Sequence, residues 1–158
     1  MSDQLTVSRD IKAPPEQVWA MVADVTRMGE WSPENEGGTW LGDATGPEPG
    51  ARFRGSNRNG WRRWRTKATV VEADPGRRFS FRVTSFGLKV SEWGYTFEPT
   101  TADGCRATET WTDQRSRWFK PIAQLATGVS DRVGTNRAGM AQTLERLATE
   151  AEGASTAG

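Results

Sequence analysis

Leu5, Val7, Arg9 and Ile11 alternate with polar neighbours, a period of two that predicts a first strand. Pro14-Pro15 stops it. Prolines suit a first helical turn, Glu16 suits the positive end of the helix dipole, and Val18, Met21, Val22 and Val25 recur at helical spacing, so a short amphipathic helix is expected to about Asp24. Between Thr26 and Trp40, Trp31, Ser32-Pro33 and Gly37-Gly38 indicate a brief second helix and then a turn into a strand. Strand-like stretches follow at Trp40-Leu41, Ala51 to Ser56, Trp61 to Glu72, Phe79 to Thr84, Val90 to Phe97 and Arg106 to Thr112. Turns bearing Gly or Pro separate them: Gly46-Pro47, Asn59-Gly60, Asp74-Pro75-Gly76 and Asp103-Gly104. Connections this short make an antiparallel meander, since parallel neighbours need long crossovers.

A four-residue turn at Asp74 to Arg77 would pair Val70 with Phe81 and Ala68 with Val83. Trp64, Ala68, Val70, Phe79, Phe81 and Val83 then share a dry face, and Arg63, Arg65, Lys67, Arg78, Ser80 and Arg82 a wet one. Farther on, Trp93, Tyr95 and Phe97 share a face, to which the favoured register of the last strand adds Cys105, Ala107, Glu109 and Trp111. After Pro121 the pattern turns helical: Leu125, Val129, Val133, Arg137, Met140, Leu144 and Leu147 keep steps of three or four, with Gly128, Gly134 and Gly139 weakening the first half. The fold class expected is α+β. A curved antiparallel sheet of about seven strands wraps a long C-terminal helix, with two short helices after the first strand. Residues 1–152 read as one domain and 153–158 as a small, polar, flexible tail.

Several segments together resemble the START-like (SRPBCC) superfamily, in particular its bacterial polyketide cyclase/dehydrase branch. They are the opening strand, the helix start Ala13-Pro14-Pro15-Glu16-Gln17-Val18-Trp19, the Asp24 to Trp31-Ser32-Pro33 stretch, the turn from Ala73 to Phe79, and Asn136 to Leu147. The resemblance runs from about Leu5 to Glu150 and implies a helix-grip fold with an internal cavity. That superfamily includes lipid carriers, pollen allergens and aromatase/cyclases, so fold alone does not choose a chemistry.

Composition narrows the chemistry. The chain has 158 residues, enough to bury a core without staples, and its single cysteine, Cys105, forms no internal disulfide, which fits a reduced cytoplasm. Met1 to Leu5 opens with an acid and no apolar run, so neither a signal peptide nor a membrane span is expected. There are 21 Lys and Arg against 20 Asp and Glu, which argues against whole-molecule attraction to nucleic acid or anionic lipid. Absence of histidine removes imidazole chemistry and, with one cysteine, Cys/His zinc sites. No metal and no cofactor is implied. Eight tryptophans are an excess of apolar area that must be buried or must line something.

The candidate cavity wall is Trp64, Phe81, Trp93, Tyr95, Phe97, Glu109 and Trp111 on the sheet, with Met140 on the helix opposite, although each ring would also serve as plain core. Trp31 and Phe119 sit on segments expected at the cavity mouth, as gates or as surface plugs. Glu109 turns inward in the register that buries Ala107 and then needs a partner, with Arg137, Asn136 and Tyr95 available. A shift of one residue would instead turn it to solvent. Glu109, Tyr95 and Arg137 are the candidate catalytic groups. The run Arg52, Arg54, Arg58, Arg62, Arg63, Arg65, Lys67, interleaved with Phe53, Trp61 and Trp64, has the composition of a single-strand nucleic-acid surface, and equally of a solvated sheet face. Three functions stay open: binding or carriage of a small hydrophobic lipid, polyketide or aromatic metabolite; cyclase, aromatase or dehydratase action in the same cavity; and an interaction module using the basic face. Monomer and homodimer are both allowed.

Overall fold

The computed structural model describes residues 3–100 and 103–157. Strand β1 (Gln4–Ile11) leads into helix α1 (Pro15–Ala23), a 3-10 turn (Val25–Arg27) and the single-turn helix α2 (Met28–Trp31). Six strands follow: β2 (Asn35–Trp40), β3 (Arg52–Asn59), β4 (Arg62–Asp74), β5 (Arg78–Ser85), β6 (Leu88–Pro99) and β7 (Cys105–Asp113). Two helices close the chain, α3 (Phe119–Thr127) and α4 (Arg132–Ala157). Among the described residues all seven strands join one antiparallel sheet in the order β1-β7-β6-β5-β4-β3-β2. This is a helix-grip fold.

Local chemistry explains most boundaries. Pro15 opens α1, where its missing N–H costs nothing, and Asp24 accepts a hydrogen bond from the Thr26 backbone to begin the 3-10 turn. Gly38 lets β2 run against that turn: a Cβ there would stand 2.7 Å from the Val25 carbonyl oxygen. The pairs Val70↔Phe81 and Ala68↔Val83 form as expected, but the turn is tighter than four residues. Asp74 pairs with Arg78, and a bulge between Val70 and Glu72 absorbs the difference.

Three sequence expectations need correction. β2 begins five residues before Trp40, at Asn35, because its Gly37-Gly38 and polar composition hide a strand. The C-terminal helix is interrupted after Thr127: Gly128 adopts φ 72° and caps α3, and Asp131 then accepts a hydrogen bond from Gly134 N as α4 begins. Leu125, which fits the continuous apolar stripe by spacing, is 77% exposed on α3. Helix α4 continues through Gly153, where the composition predicts a tail, to Ala157; Gly158 lies outside the described residues.

The solid part of the interior lies where the second half of α4 meets α1 and the sheet. Leu144, Leu147, Ala148 and Ala151 are buried with Ile11, Val18, Val25, Phe79 and Cys105, and each large aliphatic side chain among them contributes roughly 1.5–3 kcal/mol by leaving water. Aromatic edges tie the sheet side together, with Phe53 at 5.2 Å from Phe81 and 5.6 Å from Trp40.

Candidate functional site

Strand β7 carries the site's deepest polar group because its alternation is strict: Cys105, Ala107, Glu109, Trp111 and Asp113 all point inward and are buried. Pairing with β6 sets Trp93 opposite Trp111, Tyr95 opposite Glu109 and Phe97 opposite Ala107. The inward register therefore holds, and Glu109 is 2% exposed.

Facing this stretch of sheet, the first half of α4 presents Thr135, Asn136, Gly139, Met140 and Thr143, most of them too small or too polar to fill the concavity. A cavity of about 520 Å³ results. The sheet supplies Phe53, Trp64, Ala68, Phe81, Val83, Trp93, Tyr95 and Trp111 to its wall. Met28, Ser32, Pro33 and Asn35 approach from α2 and the segment after it, and Ala123 and Thr127 from α3. Its size and lining match a small-molecule site, mainly apolar with few placed polar groups.

Within it, the Tyr95 hydroxyl donates to Glu109 Oε1 at 2.8 Å, and Glu109 Oε2 is buried without a partner among the described residues. Burial, opposed by the hydrogen bond from Tyr95, pushes the Glu109 carboxyl up to about 8. Burial, followed by the charge and the hydrogen bond of Glu109, raises the Tyr95 phenol well above its usual value. With its carboxyl raised to about 8, Glu109 is mostly a carboxylic acid at neutral pH, beside a phenol.

Charges that line the cavity are already matched. Arg132 at the start of α4 donates to Glu34 Oε1 at 2.6 Å and to Asn136 Oδ1 at 3.3 Å, strapping the helix to the loop before β2. Arg115 donates to both oxygens of Asp113, at 2.9 and 2.8 Å. Burial alone would raise the Asp113 carboxyl, yet the side-chain and backbone hydrogen bonds from Arg115 outweigh it and hold the group below its ordinary value.

The structure brings together Trp64, Phe81, Trp93, Tyr95, Glu109, Trp111 and Met140 around one hollow. Other expected residues lie apart. Phe97 is buried in the solid core, stacked on Tyr95 at 6.5 Å. Trp31, expected at the mouth, is packed inward at 4% exposure under the Arg27 guanidinium, and its neighbours Met28, Ser32 and Pro33 take the wall position. Phe119, the first residue of α3, is buried away from the cavity, which Ala123 and Thr127 of the same helix reach instead. Arg137 is exposed on α4 and meets neither Glu109 nor the cavity.

Sequence reasoning missed the polar wall of Asn35, Asn57, Thr66, Arg115, Arg132, Thr135 and Thr143. One signal for it exists: Asn136, Gly139 and Thr143 interrupt the apolar stripe beside Met140 at helical spacing. Arg52, Arg54, Arg63, Arg65 and Lys67 are exposed on the outer face of the sheet, and Arg62 lies over the Trp61 ring at the β3–β4 hairpin tip. Among the described residues no group of three or more Cys, Asp or Glu is placed to hold a metal ion, and no helix is long and apolar enough to cross a membrane.

Comparison with known proteins agrees with this geometry. Residues 2–152 match the family described as polyketide cyclase / dehydrase and lipid transport. Among solved structures, a polyketide-cyclase-like protein from Corynebacterium glutamicum is 33% identical over 94% of this chain and 90% of that one, with a TM-score of 0.64. A protein from Thermus thermophilus, TTHA0849, is 19% identical over 97% and 99% of the two chains, with a TM-score of 0.71. StfQ, a di-domain aromatase/cyclase of the steffimycin biosynthetic pathway, is 14% identical with a TM-score of 0.75, and matches 99% of this chain with 52% of its own length. At those lower identities the likeness is one of fold. No curated protein matches the chain.

Proposed function

The chain belongs to the polyketide cyclase / dehydrase and lipid transport family, and from that premise we propose that it binds and carries a small hydrophobic metabolite in the hollow between the sheet and α4. One observation carries this: an aromatic-walled space of about 520 Å³ lies beside a continuous core of buried apolar side chains. Apolar walls gain nothing from contact with water, so an apolar occupant that takes this space removes both its own surface and the lining from solvent. Native mass spectrometry of protein purified from its own host tests the proposal. A co-purifying apolar compound, and saturable quenching of tryptophan fluorescence when the stripped protein is titrated with apolar aromatics, are expected. Finding no adduct and no quenching by any apolar compound would remove the proposal.

A second reading, cyclization or dehydration inside the same space, is favoured by the Glu109–Tyr95 pair, which supplies a proton donor deep in an apolar cavity. Arg137 takes no part in it, being exposed. Turnover of a polyketide-like compound that falls at least about a hundredfold in Glu109→Gln would support this reading, within the range typical of a lost general acid. Binding without turnover leaves carriage alone.

A further inference from the structure

Two of the residues that line the cavity carry a fully buried carboxyl oxygen with no hydrogen-bond partner among the described residues: Glu109, through Oε2, and Glu34, through Oε2 beside the Arg132 strap. The cations at the same surface are Arg115 and Arg132, and each already serves a carboxylate, Asp113 and Glu34 respectively. An anionic ligand would therefore enter a space whose described lining carries two unpartnered carboxyl oxygens and no cation without a carboxylate partner. A ligand carbonyl or ether oxygen, in contrast, meets a hydrogen-bond donor if the proton of Glu109 sits on Oε2, because Oε1 is occupied by the Tyr95 hydroxyl.

We propose that the cavity selects uncharged ligands that present an acceptor oxygen to Glu109 Oε2, and that it discriminates against carboxylates. The inference rests on the carrier reading above and names the class of ligand for that site.

The surroundings of Glu109 fit a group that stays protonated. Val7 on β1 and Tyr95 on β6 are its cross-strand partners, Ala107 and Trp111 flank it on β7, and Asn136, Met140 and Thr143 of α4 line the cavity with it. Tyr95 is the titratable group that acts on it, and burial is what raises its carboxyl to about 8. Affinity for an acceptor ligand is then full below that value and falls as the acid ionises, since the carboxylate has no proton to donate and repels the ligand oxygen.

Four naphthalenes of nearly equal size test this by calorimetry: acetylnaphthalene, ethylnaphthalene, naphthoate and naphthylethylamine. At about pH 6 the ketone should bind about tenfold tighter than the hydrocarbon and than the carboxylate, the value of one good hydrogen bond in an apolar site. Between about pH 6 and about pH 9.5 the ketone's advantage over the hydrocarbon should disappear. Glu109→Gln, whose amide still donates, should keep the preference and lose the pH step, and Glu109→Leu should lose the preference while still binding ethylnaphthalene. If the leucine variant does not fold, the pH profile of the glutamine variant decides. Naphthoate binding as tightly as the ketone, the amine binding more tightly than either, or equal ketone and hydrocarbon affinities at about pH 6 would each overturn the inference and leave the carrier reading standing. No binding by any of the four would count against the carrier reading and take the inference down with it.

Discussion

The two halves of α4 face two different interiors. From Leu144 onward the helix is inlaid: Leu144, Leu147, Ala148 and Ala151 are all at 1% exposure or less, among Ile11, Val18, Val25 and Phe79. Before Leu144 the same helix turns Thr135, Asn136, Gly139, Met140 and Thr143 toward the sheet, and a space of about 520 Å³ is left between them. One continuous element thus anchors the fold with its C-terminal turns and roofs a hollow with its N-terminal ones. The difference lies in side-chain volume and polarity: leucine and alanine interdigitate with the sheet, whereas threonine, asparagine and glycine stop short of it. Stability and binding are assigned to adjacent stretches of one helix, so substitutions a turn or two apart should separate them.

The largest expected effect comes from the packed half. Leu147→Ala should cost about 2–5 kcal/mol of unfolding free energy in urea, because the walls of a close-packed core collapse only partly around a deletion, and should leave the affinity of the folded protein for apolar aromatics unchanged. A loss below about 1 kcal/mol would mean that this half is not the solid one.

Next comes pH. Glu109 holds its proton to about pH 8 in the folded protein, whereas in the unfolded chain it ionises near its ordinary value of 4.5. Below that lower value both states are protonated and the group's contribution is fully present. Between the two values the unfolded chain alone has released its proton, so stability falls as pH rises, by at most about 1.4 kcal/mol per unit, and levels off above the folded value. Urea denaturation across this window should show the decline in the native protein and a flatter profile in Glu109→Gln. Asp113 works in the opposite direction: its lowered carboxyl contributes stability at neutral pH that is lost as acid protonates it, so Asp113→Asn should narrow the acid-side loss.

Met140→Ala sharpens the contrast within the helix. Met140 is 1% exposed but packs on Leu5 and Trp111 at the edge of the hollow, so its removal should cost less than Leu147→Ala, about 2 kcal/mol. It should also shift affinity toward bulkier aromatics, measured by fluorescence titration. The smallest effect is expected at the strap: Arg132→Ala removes a partly exposed pair with Glu34, worth about 1 kcal/mol or less in stability, and should speed ligand release.

Much of this division is legible in the sequence. Period-two alternation is a strong signal where one face of a sheet is covered, and it identifies the pairs Val70↔Phe81 and Ala68↔Val83 and the inward face shared by Tyr95, Glu109 and Trp111. Three features are not legible. The break at Gly128 is hidden because Leu125 and Val129 continue the spacing of Val133 and Met140 by coincidence, and only the left-handed glycine ends α3. β2 is half hidden because Gly37 and Gly38 carry no strand signal, Gly38 serving close contact with the 3-10 turn. The polar wall is hidden because a reading built on apolar stripes treats Asn136 and Thr143 as imperfections, whereas they are buried at the hollow. Residue type and position point Phe97, Trp31 and Phe119 to the cavity or its mouth; the structure uses them for packing.

The central claim is that the N-terminal half of α4 covers a space a ligand enters, and nuclear magnetic resonance tests it most directly. On titration with acetylnaphthalene, intermolecular Overhauser effects should join the ligand to the Met140 methyl and to the Trp93 and Trp111 indoles, while the Leu144 and Leu147 methyl resonances show none. Contacts confined to the exposed Trp61 and Trp118 rings, or none at all at saturating ligand, would contradict the account.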